Sequence, residues 1–151
     1  MDIKELFGTN EQLESEGVWF ELGSGARIRL ARQGNPKWNE FRRLKLRTYR
    51  NGFRGGVMTD ETAEEIMLDL LAETIILDWE GLTSGGQELK YSKSCARDLL
   101  VDLRDFRDFV ARASSEMESF RDTEIKGDTK NSVSSSPGNG NGEHTENFSN
   151  P

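Results

Sequence analysis

The sequence predicts an α+β fold, mainly α, in which an N-terminal β-hairpin packs on a three- to four-helix bundle. Apolar residues alternate around a glycine turn near residue 24, and then recur at helical spacing as far as residue 121. From residue 122 the chain is rich in Ser, Gly and Asn, a composition typical of disorder. We therefore predict a loose N-terminal arm (1–16), a single globular domain (17–121) and a disordered, acidic C-terminal tail (122–151).

The hairpin is predicted over residues 17–32. Apolar side chains at every second position form one face of each strand, and Gly23-Ser24-Gly25 supplies the turn. Because an isolated hairpin is marginally stable in water, helices must cover its apolar face. The apolar positions are Val18, Phe20, Leu22, Ile28 and Leu30.

Three helices are predicted from their caps and from apolar spacing. The first begins at Asn35-Pro36 and ends at glycines from Gly52 onward, the second begins at Thr59, and the third begins at Ser92. The third carries an apolar stripe typical of packing against other helices, and the charges at Asp102–Asp105 are consistent with a break there. The stripe consists of Leu99, Leu103, Phe106, Val110, Ala113, Met117 and Phe120.

The stretch Ile75–Ser92 connects the second predicted helix to the third. Its first residues, three apolar side chains followed by Asp-Trp-Glu-Gly, predict the last turn of a helix that stops at Gly81. Gly85-Gly86 then allows a short extended piece before Ser92 caps the next helix. We expect Trp79 to be the structural anchor that holds the two helices together beneath the hairpin.

Charge is distributed unevenly along the chain, whose net charge is −7. Residues 27–54 contain ten basic residues and one acidic residue, while the segments on both sides are acidic. The first helix presents Arg43, Arg47 and Arg50 as a basic face, which either binds an external polyanion or is matched by acidic neighbours. The acidic charge of the whole chain and the lack of a known nucleic-acid motif argue against nucleic acid as the partner.

The sequence lacks the residue groups that catalysis and metal binding require. The only histidine, His144, lies in the predicted tail, and Cys95 is the only cysteine. The carboxylates of the second helix have no histidine beside them and fit a solvated face. We therefore expect a non-enzymatic protein without catalytic, cofactor-binding or metal-binding residues. No run of about 18 apolar residues occurs, so no membrane span is predicted.

The order of these segments resembles the tail assembly chaperones of long-tailed bacteriophages. The resemblance extends over residues 15–121. It rests on Gly17-Val18-Trp19-Phe20-Glu21-Leu22, on Ile76-Leu77-Asp78-Trp79-Glu80-Gly81-Leu82 and on Leu89-Lys90-Tyr91-Ser92, with Ile28–Asn35, Ala96–Leu100, Phe106, Phe109 and Phe120.

The resemblance implies a mostly helical protein of the host cell cytoplasm that is absent from the mature virion. Such chaperones bind and solubilise the tape measure protein and help to recruit tail tube subunits, and a homo-oligomer is compatible with this role. The candidate partner contacts are Arg43, Arg47, Arg50, Met117 and Phe120. The alternative function is a nucleic-acid-binding regulator that uses the basic helix 36–54.

Overall fold

The computed structural model describes residues 1–52 and 58–122, and it confirms the predicted α+β class. A π-helix, Leu71–Ile75, continues the fourth α-helix, and a 3₁₀-helix, Met117–Phe120, follows the last one. Residues 123–151 of the predicted tail lie outside the described residues. The other elements, in chain order, are α1 (Ile3–Phe7), α2 (Glu11–Glu16), β1 (Val18–Gly23), β2 (Ala26–Leu30), α3 (Pro36–Gly52), α4 (Asp60–Leu70), β3 (Ile76–Glu80), β4 (Thr83–Ser84), β5 (Gln87–Glu88), α5 (Lys93–Asp102) and α6 (Arg104–Ala113).

A three-stranded antiparallel sheet, in the order β1-β2-β3, forms one layer of the core. The predicted hairpin supplies β1 and β2, and the fully buried Ile28 and Leu30 lie on the central strand β2. The third strand corrects the prediction that Ile75–Gly81 ends a helix. The helix ends at Ile75, Ile76 turns to an extended conformation, and β3 then pairs with β2. This pairing satisfies backbone groups of β2 that β1 cannot reach.

Trp79 lies on β3 and not between two helices as predicted. It pairs in register with Ile28 and is only 4 % exposed. Its indole Nε1 donates to the Leu89 carbonyl oxygen at 2.7 Å, and its ring meets Tyr91 edge to face at 5.1 Å between centroids. The Tyr91 hydroxyl donates in turn to the Ile76 carbonyl oxygen at 2.9 Å. Trp79 therefore joins the sheet to the loop that leads into α5.

The helices begin where the sequence places their caps. Asn35 Oδ1 accepts a hydrogen bond from the Trp38 amide, Thr59 Oγ1 from that of Thr62, and Ser92 Oγ from that of Cys95. Each cap satisfies a backbone donor that the first helical turn leaves unpaired. The third predicted helix is divided at Leu103, whose backbone is extended, into α5 and α6. The stripe therefore follows two helices and a 3₁₀ turn.

The N-terminal residues 1–16 form two short helices, so the expectation of a loose arm is corrected. Asp2 caps α1 and Asn10 caps α2. The Asn10 amide donates to the Phe120 carbonyl oxygen at 2.8 Å, and the buried Arg121 guanidinium donates to the Glu5 carbonyl oxygen. These contacts attach the N-terminal helices to the end of the domain.

We predict that Trp79→Ala lowers the free energy of unfolding by about 3–5 kcal/mol, because it leaves a large cavity and an unpaired Leu89 carbonyl. Urea denaturation of purified protein measures this loss. Trp19→Ala is the matched control, since Trp19 is half-buried on the opposite face of the sheet under Arg27, and it should cost clearly less. Equal losses in the two variants would contradict the central position of Trp79.

Candidate functional site

Asp69 on α4 holds α3 and α5 against each other. Its Oδ2 lies 3.1 Å from Lys45 Nζ on α3, and its Oδ1 accepts from Arg97 Nε on α5 at 2.6 Å. Burial raises the pKa of the Asp69 carboxyl, but the hydrogen bonds from Arg97 and Lys45 outweigh this effect, and the pKa falls below its usual value. The hydrogen bond to Asp69 also raises the pKa of Arg97. Asp69 therefore stays ionised and fixes the position of α3.

The basic face predicted on α3 is exposed, and we define Arg43, Arg47 and Arg50 as the basic ridge. Arg43 forms an ion pair with Glu40 at 2.7 Å, and the hydrogen bond from Arg43 lowers the pKa of the Glu40 carboxyl. Neither Arg47 nor Arg50 makes an ion pair with any residue that the structure describes. Among the residues that the structure describes, no ion pair therefore matches the positive charge of Arg47 and Arg50.

An open groove of about 660 Å³ lies beside the basic ridge. Its lining is mainly apolar, and Leu44 in it is 43 % exposed. The carboxylates Glu40 and Glu73 also line it. Glu73 pairs with Lys93 at 2.7 Å, while Lys37 makes no ion pair with a described residue. We define the groove by six residues: Lys37, Phe41 and Leu44 of α3, Leu77 of β3, Tyr91 in the loop before α5, and Lys93, the first residue of α5.

Leu77 reaches the groove because β3 contains a bulge. Leu30 pairs with Ile76 and Arg29 pairs with Asp78, so Leu77 is an extra residue without a partner on β2. Gly17, with φ +89°, lies against it, and a Cβ at Gly17 would stand 2.8 Å from Leu77 Cδ1. Gly17 therefore leaves the space that Leu77 occupies.

The other two predicted contact residues, Met117 and Phe120, are not on α3 but on the 3₁₀ turn near the end of the domain. Phe120 is fully buried and packs against Phe20, with 6.4 Å between ring centroids. This corrects its assignment as a contact on the folded protein, since the core of the domain covers it. Met117 is half-buried on the 3₁₀ turn. Sequence reasoning did not identify the groove, because Leu77 and Tyr91 come from a stretch with no clear periodicity.

The described residues contain no group of three or more His, Cys, Asp or Glu placed to hold a metal ion. Cys95, half-buried near the start of α5, is a free thiol. Within the same part of the chain, no helix is long and apolar enough to cross a membrane.

Comparison with known proteins identifies a family. The family described as YdaY prophage protein matches residues 31–131, about two thirds of the chain. The chain belongs to the YdaY prophage protein family. Membership indicates a phage-derived protein, and the matched span includes the basic ridge and all six residues that define the groove. No curated protein and no solved structure matches the chain.

We predict that Asp69→Asn lowers the free energy of unfolding at pH 7 by about 1–2 kcal/mol, because Lys45 and Arg97 lose a charged acceptor. The folded-state pKa of Asp69 lies below its unfolded value. This stabilisation is therefore present above the unfolded pKa, about 3.9, and is lost as the pH falls through the folded pKa. The difference from the wild type should disappear in that acidic range.

Chemical denaturation at a series of pH values measures the effect. Asp98→Asn is the control, because Asp98 is exposed on α5 and makes no ion pair with a described residue. If Asp69→Asn lowers the free energy of unfolding by the same amount from neutral to strongly acid pH, the stabilisation by Asp69 is not ionic.

Proposed function

We propose that this prophage protein is a tail assembly chaperone that acts by binding and not by catalysis. It binds and solubilises the tape measure protein in the host cell cytoplasm, assists assembly of the tail tube, and is absent from the mature virion. The observation that supports the proposal is the open apolar groove beside the basic ridge. Phage origin, given by the family, is compatible with this role.

The shape of the groove suits an amphipathic helix. Phe41 and Leu44 lie one turn apart on α3, and the apolar lining continues with Leu77 of β3 and with Tyr91. A helix laid between them would bury apolar residues spaced three or four positions apart, which is the usual mode of helix recognition in a groove. A tape measure protein, as a long helical chain, offers many such segments.

The charge around the groove favours acidic residues on the bound helix. Arg47 follows Leu44 by one helical turn, and Lys37 stands at the other end of the groove. The two carboxylates that line the groove, Glu40 and Glu73, are each paired within the fold. Lys37 and Arg47 make no ion pair with a described residue. Carboxylates flanking the apolar residues of the partner would meet these two cations, and this would orient the bound helix.

Co-expression with the tape measure protein of the same phage tests the proposal. We predict that the wild type raises the soluble fraction of the tape measure protein and that Leu44→Glu does not, because a carboxylate in the apolar groove would be desolvated on binding. Val101→Glu is the matched control, since Val101 is similarly exposed but lies on α5. A tape measure protein that stays equally insoluble with and without the wild type would refute the function.

A second candidate function, a nucleic-acid-binding regulator, is favoured by Arg47 and Arg50, which are exposed and make no ion pair with a described residue. It predicts retention on DNA or RNA that weakens as salt rises, because bound arginines release counterions. In the triple variant Arg43→Ala, Arg47→Ala, Arg50→Ala, the slope of log affinity against log salt should fall by about 3. Unchanged retention in this variant would exclude the basic ridge as the nucleic-acid interface.

A further inference from the structure

Helix α1 presents an apolar face that the described part of the chain leaves uncovered. Ile3 is 63 % exposed and Phe7 is 64 % exposed, and Leu6 between them is also exposed. Three neighbouring apolar side chains in contact with water are unfavourable unless something else covers them.

The same helix is held in a defined position. Asp2 caps its first turn, the Gly8 amide donates to the Lys4 carbonyl oxygen, and the buried Arg121 guanidinium donates to the Glu5 carbonyl oxygen. A helix of five residues has little stability of its own, so these contacts supply its order. They fix the apolar face of α1 in an outward direction, as a binding surface requires.

The surroundings of α1 and of the groove carry opposite charge. Residues 1–16, which form α1 and α2, contain five acidic residues and one basic residue. The α3 side of the groove carries Lys37 and Glu40, and the three arginines of the adjacent basic ridge leave this side with net positive charge. The molecule thus has an apolar projection in an acidic segment and an apolar groove beside a basic one, and these two surfaces are complementary.

We propose that α1 of one copy of this protein inserts Ile3, Leu6 and Phe7 into the groove of a second copy. The residues of α1 remain exposed in the position observed, so the groove of the same chain does not cover them. A second copy supplies that groove without disturbing the contact of Arg121 with Glu5. The inference uses the groove of the proposed function, but it does not depend on the identity of any other partner.

The contact joins two different surfaces, and this determines the assemblies that it can form. Two copies related by a two-fold axis would exchange α1 helices reciprocally, whereas other rotations give a ring or an open chain. In each case the groove is occupied by the neighbouring copy until another helix displaces it. A helical partner would therefore compete with self-association for the same apolar residues.

Light scattering coupled to size-exclusion chromatography tests the proposal on the full chain, without any partner. We predict that the wild type shows a mass above that of the 17.1 kDa monomer, rising with concentration. Phe7→Ser removes the projection and Leu44→Ser weakens the groove, so each variant alone should return to the monomer mass. Val101→Ser is the control, because Val101 is exposed on α5, and it should keep the wild-type mass. Thermal melts confirm that all variants are folded.

Mixing the two defective variants gives a sharper test. The Phe7→Ser chain keeps an intact groove and the Leu44→Ser chain keeps an intact α1, so an equimolar mixture should form a complex with the mass of two copies. Raising NaCl from about 50 mM to about 500 mM should weaken this complex, because the Debye length shortens about three-fold. A mixture that stays monomeric at all concentrations, or a wild type that does, would overturn the proposal.

The outcome is separable from that of the proposed function. A protein that solubilises the tape measure protein but remains monomeric would overturn the α1 contact alone. A protein that self-associates as described but leaves the tape measure protein insoluble would overturn the proposed function alone.

Discussion

The pairing of β3 with β2 is the contact on which the rest of the structure depends. It closes the side of β2 that the hairpin leaves open and places Trp79 opposite Ile28. Regular alternation would place Ile76 and Trp79 on opposite faces of the sheet, since they are three residues apart. The bulge at Leu77 brings both into the core and directs Leu77 into the groove. One extra residue thus completes the core and lines the candidate site.

The same bulge explains why this strand could not be predicted from the sequence. The hairpin was predictable because its apolar residues alternate, and the helix starts were predictable because Asn35, Thr59 and Ser92 are good caps. A bulged strand has no period of two, and β3 follows a π-helix directly, so its apolar residues continue the pattern of the preceding helix. The local sequence pattern therefore predicted a helix for Ile76–Glu80, whereas backbone pairing with β2 stabilises this segment as a strand.

The apolar stripe shows a different limit of sequence reasoning. Its spacing correctly indicated helices that pack against something, but spacing does not identify the covering surface. Leu100 and Val110 are buried in the domain, and Phe120 reaches Phe20 of the hairpin because the chain turns back after α6. The groove could not be predicted for a different reason. Leu44 and Leu77 belong to segments far apart in sequence, and only the folded structure brings them together. Of the two contact candidates on the stripe, Phe120 is thus covered and Met117 is half-buried, and the open surface is formed by separate segments.

The basic block of the sequence is resolved by the structure into matched and unmatched parts. Arg27 and Lys45 belong to the matched part, in which charges are paired within the fold. The carboxylates of α4 are used in the same way, since Asp69 and Glu65 meet Arg97. These two carboxylates are therefore paired within the protein itself. Among the described residues, Arg47 and Arg50 make no ion pair, and Arg47 lies one helical turn beyond Leu44 of the groove. Under the proposed function, a partner with acidic residues beside its apolar ones would contact the groove and the basic ridge at once, so an acidic amphipathic helix would bind better than a simple polyanion.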